Sequence, residues 1–202
     1  MDYLPAALKH LRQDRLMRGV IDQVGDFQPR PAPPREHFRI LTYSIVGQML
    51  SLKAAATIRQ RLIDKVKPRK ISPETLSALS IRQLREVGLS NTKSRAMHDL
   101  SARAAQGVLP IWRFAAMHDQ EIVDHLTEVH GVGRWTAEMF LMFGLVRPDI
   151  WPVDDLGIRA AIRKMDQLKE MPLKPYMLKR GERYAPYRTI ASWYLWQSLT
   201  IK

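Results

Sequence analysis

Two groups of residues in this sequence could act together on a polynucleotide. The turn Gly131-Val132-Gly133 lies between two runs with helical periodicity, and the acidic pair Asp154-Asp155 follows about 20 residues later. Glycines leave no Cβ in the way of an approaching backbone, and the N–H groups that open the next helix suit a phosphate oxygen. A carboxylate near a sugar carbon can stabilise developing positive charge and orient or deprotonate a water. The spacing therefore predicts a backbone-binding turn and an acid that acts on one nucleotide.

The charge of the chain favours the same kind of partner. The 202 residues include 32 Lys and Arg against 20 Asp and Glu, which gives a formal net charge of +12. Such an excess is typical of proteins that bind polyanions, because each cation that meets a phosphate releases counterions. The alternative is a basic, solvated surface that keeps the protein soluble. The apolar fraction of 46% is sufficient for a core of one domain or two small lobes.

Several classes of protein are excluded or disfavoured by what the sequence lacks. The absence of cysteine excludes disulfides, thiolate zinc sites, cysteine-held iron–sulfur clusters and a cysteine nucleophile. The first residues show no basic segment followed by an apolar core, so no signal peptide is expected. No apolar run approaches about 18 residues, so no membrane span is expected. These features predict a protein of the cytoplasm or nucleoid in a bacterium, or of the nucleus in a eukaryote, that is not secreted.

The elements that must position these groups are predicted to be helices. Apolar residues recur with helical rather than strand periodicity, which predicts an all-α fold of about nine or ten helices. Ser51, Ser72 and Ser80 are predicted N-caps, and a proline-rich connector at 28–35 separates a first helix at 5–25 from the rest. Further helices are expected at 38–50, 52–66, 93–106, 119–129, 134–143, from Asp154 or Asp155 to about 165, 173–183 and 187–200.

Four segments, in order, resemble the helix-hairpin-helix DNA glycosylase superfamily. The segment VHGVGRWTA at 129–137 is similar to its hairpin signature, and DDLGIR at 154–159 resembles the stretch that carries its essential aspartate. The segment VGQMLS at 46–51 is similar to an early helix junction of the family. The segment PYRTIASWYLW at 186–196 resembles the closing helix of the DNA-3-methyladenine glycosylase II (AlkA-type) branch. The resemblance covers residues from about 40 to 200.

The resemblance implies a single two-lobed domain over 1–202 with an active-site cleft between the lobes. The central lobe would comprise about 38–145, and the other lobe the N-terminal helix with about 146–202. Members that also cut the backbone carry a lysine directly after the hairpin's basic residue, where this chain has Trp135. The resemblance therefore implies a monofunctional hydrolase, without the β-rich N-terminal domain of some relatives.

Site residues can be carried over one at a time. The family register makes Asp155 the catalytic residue, and Asp154 a helix cap or a support for the loop. The substrate pocket is predicted to contain Trp135, Trp196, Leu156 and Tyr187, whereas Trp193 is expected in the core. The predicted DNA-binding residues are Gly131, Val132, Gly133, Arg134 and Thr136 of the hairpin, Gln48, and, in the loop 88–95, Asn91 or Thr92 as the wedge and Lys93 as a phosphate contact.

A monovalent cation is also implied by the resemblance. The main-chain carbonyls of Thr127, Val129 and Val132 are expected to hold a structural Na⁺ or K⁺ that joins the hairpin to a phosphate. No other cofactor is expected.

The function implied is removal of alkylated purines of the 3-methyladenine type from duplex DNA by base flipping, by a monomer that initiates base excision repair. The same hairpin also suits a non-catalytic DNA-binding protein, but such a protein would need neither Asp155 nor the tryptophans. A bifunctional glycosylase/lyase acting on oxidised bases is a further alternative, which Trp135 disfavours. A metal-dependent nuclease is less favoured, because acids and histidines do not cluster at ligand spacing.

Overall fold

Helices form the regular structure of this chain. The computed structural model describes residues 3–201, except for the side chain of residue 52. These residues form twelve α-helices and one 3₁₀ helix, with no strand among them. The predicted all-α fold is confirmed. Within the same residues, no helix combines the length and apolarity needed to cross a membrane.

The helices have the following bounds: α1 Leu4–Leu11, α2 Arg15–Val24, α3 Pro34–Gly47, α4 Leu52–Val66, α5 Pro73–Ser77, α6 Ile81–Glu86, α7 Asn91–Ala105, α8 Asp119–Thr127, α9 Arg134–Phe143, α10 Leu156–Met165, α11 Lys174–Glu182 and α12 Arg188–Ser198. The 3₁₀ helix, Ile111–Ala116, lies between α7 and α8.

Side-chain caps explain where several of these helices begin. Ser51, Ser72 and Ser80 each accept a hydrogen bond from a backbone N–H in the first turn of α4, α5 and α6, as predicted. The prediction of one helix over 5–25 was wrong. Asp14 accepts from the N–H groups of Leu16 and Met17, so it ends the first helix and caps a second one. The described residues form thirteen helices rather than nine or ten, and this division and the 3₁₀ helix account for two of the additional ones.

The chain divides into two compact units. One comprises Met1–Arg30 with Val146–Lys202, and the other comprises Pro31–Leu145. The acidic pair belongs to the first unit, and the glycine turn belongs to the second.

In the first unit, α12 packs against α2 and α10. The phenol of Tyr194 in α12 is fully buried, donates to Gly25 O (2.9 Å) and accepts from Phe27 N (3.2 Å). The ring of Phe27 stacks on Trp193 with centroids 4.6 Å apart, so Trp193 belongs to the margin of the core, as predicted. These contacts fix α12, which also carries Trp196.

In the second unit, α7 packs against α3, α5 and α6, while α3 also packs against α9. The core includes a T-shaped pair of rings, Phe114 and Phe140, with centroids 5.8 Å apart. The buried His37 ring approaches Phe140 edge-on, and its Nε2 lies 3.0 Å from Ala32 O. Helix α7 therefore neighbours the helix that precedes the 48–51 segment, and it also reaches the turn between α8 and α9.

Candidate functional site

The turn between α8 and α9 has the geometry that its glycines predict. Gly131 has φ +74°, a left-handed conformation that favours glycine. Gly133 is the N-cap of α9, has extended backbone and provides no side-chain cap. The first N–H groups of a helix lack partners within it, so without a capping side chain they suit an anion. An added Cβ on Gly133 would meet no atom within 4 Å, so this face of the turn is open.

Helix α7 supports the turn from behind. The carboxylate of Asp99 accepts a hydrogen bond from His130 N (2.8 Å) and another from Arg103 Nε (3.1 Å). A Cβ on Gly131 would lie 3.1 Å from Ala96 Cβ, so the turn touches α7 closely. The glycine is therefore needed for both its backbone conformation and its packing.

The two glycines should respond differently to substitution. We expect Gly131→Ala to lower the free energy of unfolding by about 1–2 kcal/mol, because it combines a strained φ with a close contact. Gly133→Ala should change stability by less than about 0.5 kcal/mol. Its methyl group would nevertheless meet a bound strand and weaken duplex binding by about 10-fold. Chemical denaturation and fluorescence anisotropy measure the two effects. Unchanged duplex affinity in Gly133→Ala would contradict the assignment of this face to DNA.

The side chains of the hairpin divide into exposed and inward groups. Arg134 is exposed and its Nε lies 3.0 Å from the carboxylate of the buried Glu138. Trp135 is 39% exposed. Val132 is buried, so only its main chain can face a ligand. Thr136 was predicted to contact DNA through the hairpin, but its side chain is buried and its hydroxyl accepts a hydrogen bond from Gln48.

Gln48 also points into the protein. Its Nε2 donates to Thr136 Oγ1 at 2.9 Å and lies 3.5 Å from Gly131 O. The amide therefore joins the segment after α3 to the hairpin. This conformation does not favour the predicted contact of Gln48 with DNA.

The predicted loop at 88–95 is largely helix. Ser90 caps α7 by accepting from Lys93 N, so Asn91, Thr92 and Lys93 occupy its first turn. Asn91 and Thr92 are exposed there but do not form the projecting loop that a wedge needs. Lys93 Nζ donates to Val46 O (2.9 Å) and Gln48 O (2.5 Å). Burial lowers the pKa of Lys93, and its ammonium is directed at carbonyls rather than at a phosphate.

A projecting apolar residue occurs instead between α3 and α4, where we did not predict one. Met49 is 98% exposed and has φ +53°. A residue with a side chain adopts this region at a cost of about 1–3 kcal/mol, and such strain clusters at functional sites. Leu50 beside it is 39% exposed. One feature of the sequence could have indicated this projecting residue: the apolar pair Met49-Leu50 lies between the polar Gln48 and the helix cap Ser51.

Asp155 of the acidic pair lies at the start of α10, as expected, whereas Asp154 does not cap the helix. Asp155, 8% exposed, is the N-cap, and its Oδ1 accepts from Ile158 N at 2.8 Å. Asp154 was expected as a cap or loop support, but it is exposed and lies 3.8 Å from Lys174 Nζ. The prediction that Asp154 caps the helix was therefore wrong. A carboxylate held at the start of a helix is suited to stabilising positive charge that develops close to it.

Trp196 reaches this carboxylate from α12. Its Nε1 donates to Asp155 Oδ1 at 2.9 Å. Gly157 makes the approach possible, since an added Cβ would lie 2.8 Å from Trp196 Cδ1 and 3.1 Å from Asp155 Oδ1. The first unit thus contains a half-buried indole held against a carboxylate at the start of a helix. Sequence reasoning singled out both side chains but missed Gly157.

The two other predicted pocket residues of the first unit are placed differently. Leu156 is 67% exposed beside the acid. Tyr187 precedes α12, nine residues from Trp196, and so lies about 13 Å away along the helix. Its ring stacks on Tyr3 and meets His10 edge-on, with centroids 6.4 and 5.7 Å apart. Tyr187 therefore belongs to the packing of α1 rather than to the group around Asp155, contrary to prediction.

The carbonyls predicted to hold a cation lie where α8 ends. A helix leaves its last carbonyls without intrahelical partners, and Thr127 is the last residue of α8. Val129 O accepts from Val132 N at 3.0 Å, which uses one of its two lone pairs. Carbonyl oxygens of Thr127, Val129 and Val132 fit a hard monovalent ion chemically, and this site stays a prediction. Among the described residues, His, Asp and Glu form no cluster that could hold a metal ion.

The fold and these two groups of residues define a DNA repair protein. Residues 42–186 match the HhH-GPD superfamily of base excision DNA repair proteins, and the chain belongs to this family. It is 32% identical to the DNA-3-methyladenine glycosylase 1 of Schizosaccharomyces pombe over 188 residues, which cover 92% of this chain and 82% of that protein.

Solved structures give the same relationship. A 3-methyladenine DNA glycosylase of Schizosaccharomyces pombe in complex with abasic DNA has a TM-score of 0.87 and 31% identity, with 97% of each chain covered. A DNA-3-methyladenine glycosidase of Bacillus halodurans has a TM-score of 0.79 and 32% identity, with 94% of this chain and 86% of that chain covered.

Proposed function

We propose that this protein is a monofunctional DNA glycosylase that hydrolyses the N-glycosidic bond of alkylated purines in duplex DNA. The observation that carries the proposal is the Asp155–Trp196 pair in a chain whose similar relatives are named 3-methyladenine glycosylases. The product is an abasic site, which later repair steps fill.

Asp155 supplies the charge that the reaction needs. As the bond between C1′ and the base breaks, positive charge develops on the sugar, and the carboxylate stabilises it. The base leaves with the bonding electrons, and a water adds to C1′ and gives up a proton to the Asp155 carboxylate. An alkylated purine is already cationic, so it leaves as a neutral base without an acid to protonate it. A single carboxylate is therefore sufficient.

The hairpin binds the DNA backbone. The start of α9, where Gly133 provides no capping side chain and leaves its face open, and the exposed guanidinium of Arg134 suit a phosphate. The net charge of +12 adds attraction to the rest of the duplex. The cation predicted at the carbonyls of Thr127, Val129 and Val132 would strengthen the same contact.

Met49 fills the gap that the flipped base leaves. A base must leave the stack before its glycosidic bond can be reached, and unstacking costs a few kcal/mol. Apolar side chains that insert between base steps offset this cost. Met49 has the exposure and the projecting backbone for this role, whereas Asn91 and Thr92 lie in a helical turn. We therefore assign the wedge to Met49.

Aromatic and apolar side chains receive the base. The indole of Trp196, which lies beside the acid, can stack on a cationic purine. Leu156 provides an apolar neighbour for Asp155. Aromatic faces prefer a cationic base to a neutral one, so this set of residues favours alkylated purines over normal ones.

The test separates a hydrolase from its alternatives. We expect the protein to release methylated purines from alkylated duplex DNA, to leave abasic sites intact until alkali is added, and to form no adduct under borohydride. No lysine stands after Arg134 to form a Schiff base. Chromatography of released bases and denaturing gels measure the three results. Tight DNA binding without release would favour a non-catalytic protein, and a borohydride-trapped adduct would favour a lyase.

A further inference from the structure

The segment that carries Met49 forms few contacts within itself that could stabilise its backbone conformation. Helix α3 ends at Gly47, and a turn follows in which Leu50 N donates to Gly47 O at 3.2 Å. The side chain of Met49 is almost wholly in solvent, so its packing cannot stabilise its left-handed backbone. Other residues must hold the peptide groups around it.

Lys93 contacts these peptide groups directly. Its Nζ lies 2.9 Å from Val46 O and 2.5 Å from Gln48 O, at the C-terminal end of α3. A cation is favoured at this end of a helix, where carbonyls lack partners. The second of these carbonyls belongs to the peptide group that joins Gln48 to Met49, so the ammonium fixes the backbone immediately before the wedge.

The hairpin is fixed by the same helix. Six residues after Lys93 in α7, Asp99 accepts from His130 N at 2.8 Å. Between them, Ala96 lies against Gly131. The side chain of Gln48 then closes the connection by donating to Thr136 Oγ1. One helix therefore sets the distance between the turn that binds the backbone and the residue that enters the stack.

We propose that Lys93 is a positioning residue that holds Met49 in register with the hairpin and does not bind a DNA phosphate. The inference rests on the proposed function for its catalytic consequence. Two of the three ammonium donors are used by carbonyls, and the side chain is partly buried. A base flips only if the wedge enters at the correct step, so a displaced Met49 slows base release even when DNA is bound.

A double-mutant cycle tests the proposal. We expect Lys93→Met and Met49→Ala each to slow single-turnover base release between about 10- and 100-fold. The double variant should be no slower than the slower single variant, because Lys93 acts through Met49. Additive losses would overturn the proposal.

Salt dependence separates positioning from phosphate binding. The slope of log K against log salt concentration for duplex binding should be the same in Lys93→Met and in wild type. Loss of a phosphate contact would reduce that slope by about one, and this result would overturn the proposal. Arg82→Met is the matched control for loss of one positive charge, since Arg82 is 91% exposed and forms an ion pair with Glu86 of the same helix, α6.

A third measurement does not depend on activity. In the free protein, Lys93→Met should speed amide hydrogen exchange in 47–51, while exchange in 128–135 stays as in wild type. Unchanged exchange in 47–51 would contradict the positioning role of Lys93, whether or not the wild type releases a base. A wild type that releases no base would refute the proposed function. If Lys93→Met is too unstable to assay, Lys93→Gln, which retains a donor, takes its place with the same expected directions.

Discussion

Replacing Asp155 by asparagine should reduce the rate of base release at least about 100-fold under single-turnover conditions. Asparagine has the same shape and can still accept from Ile158 N, so α10 keeps its cap. It lacks the negative charge that stabilises the sugar cation. The melting temperature and the affinity for a duplex with a neutral abasic analogue should therefore stay close to those of wild type.

The neighbouring acid provides the matched control. Asp154 is exposed, and its ion pair with Lys174 at 3.8 Å is of the kind that contributes little. We expect Asp154→Asn to release methylated purines within about twofold of the wild-type rate, since surface pairs are worth about 0–1 kcal/mol. Equal losses in both variants would mean that the acidic pair acts through general charge. A loss in Asp154→Asn alone would transfer the catalytic role to that residue.

The second large effect is expected from a single methyl group. Gly157→Ala should slow base release about 10- to 100-fold, the value of a hydrogen bond to a charged group. Its Cβ would lie 2.8 Å from Trp196 Cδ1 and 2.9 Å from Nε1, so the indole must move away from Asp155. Helix propensity works in the opposite direction, because alanine favours a helix by about 1 kcal/mol over glycine. In Gly157→Ala, the rate of base release should therefore fall although the helix propensity of the chain rises.

Two further variants isolate the cause. Trp196→Phe keeps an aromatic ring but removes the N–H that reaches Asp155, so it should slow the chemical step while retaining affinity for abasic DNA. Gly19→Ala is the control for propensity, since Gly19 lies in α2 and an added Cβ there meets nothing within 4 Å. It should raise stability and leave base release unchanged. Wild-type rates in Gly157→Ala would show that the indole–carboxylate contact is not needed.

Local signals in the sequence were sufficient for much of the fold. Serine caps, glycine stops and helical periodicity act over a few residues, so the starts of α4, α5 and α6 could be predicted from Ser51, Ser72 and Ser80. Asp14 is the same kind of capping residue, but the apolar pattern continues past it, so the boundary between α1 and α2 was not predicted. The hairpin and Asp155 were recognised because their residues are close together in sequence.

The wrong predictions of site residues arose where side chains contact residues that are far away in the sequence. The contacts of Lys93 with the end of α3 span 45 and 47 residues, and that of Gln48 with Thr136 spans 88. No local pattern records such contacts, so both side chains were assigned to DNA. Met49 was missed because contacts from other parts of the chain hold its left-handed backbone. The glycine that normally marks such a position is absent.

One measurement tests the central claim most directly, namely that Asp155 stabilises positive charge on the flipped sugar. Duplexes would carry either a neutral tetrahydrofuran or a cationic pyrrolidine in place of one deoxyribose, and the affinity of each would be measured for wild type and Asp155→Asn. We predict that the wild type binds the cationic duplex at least about 10-fold more tightly, as expected for a transition-state mimic, and that Asp155→Asn loses this preference. The same preference in both proteins would contradict the account.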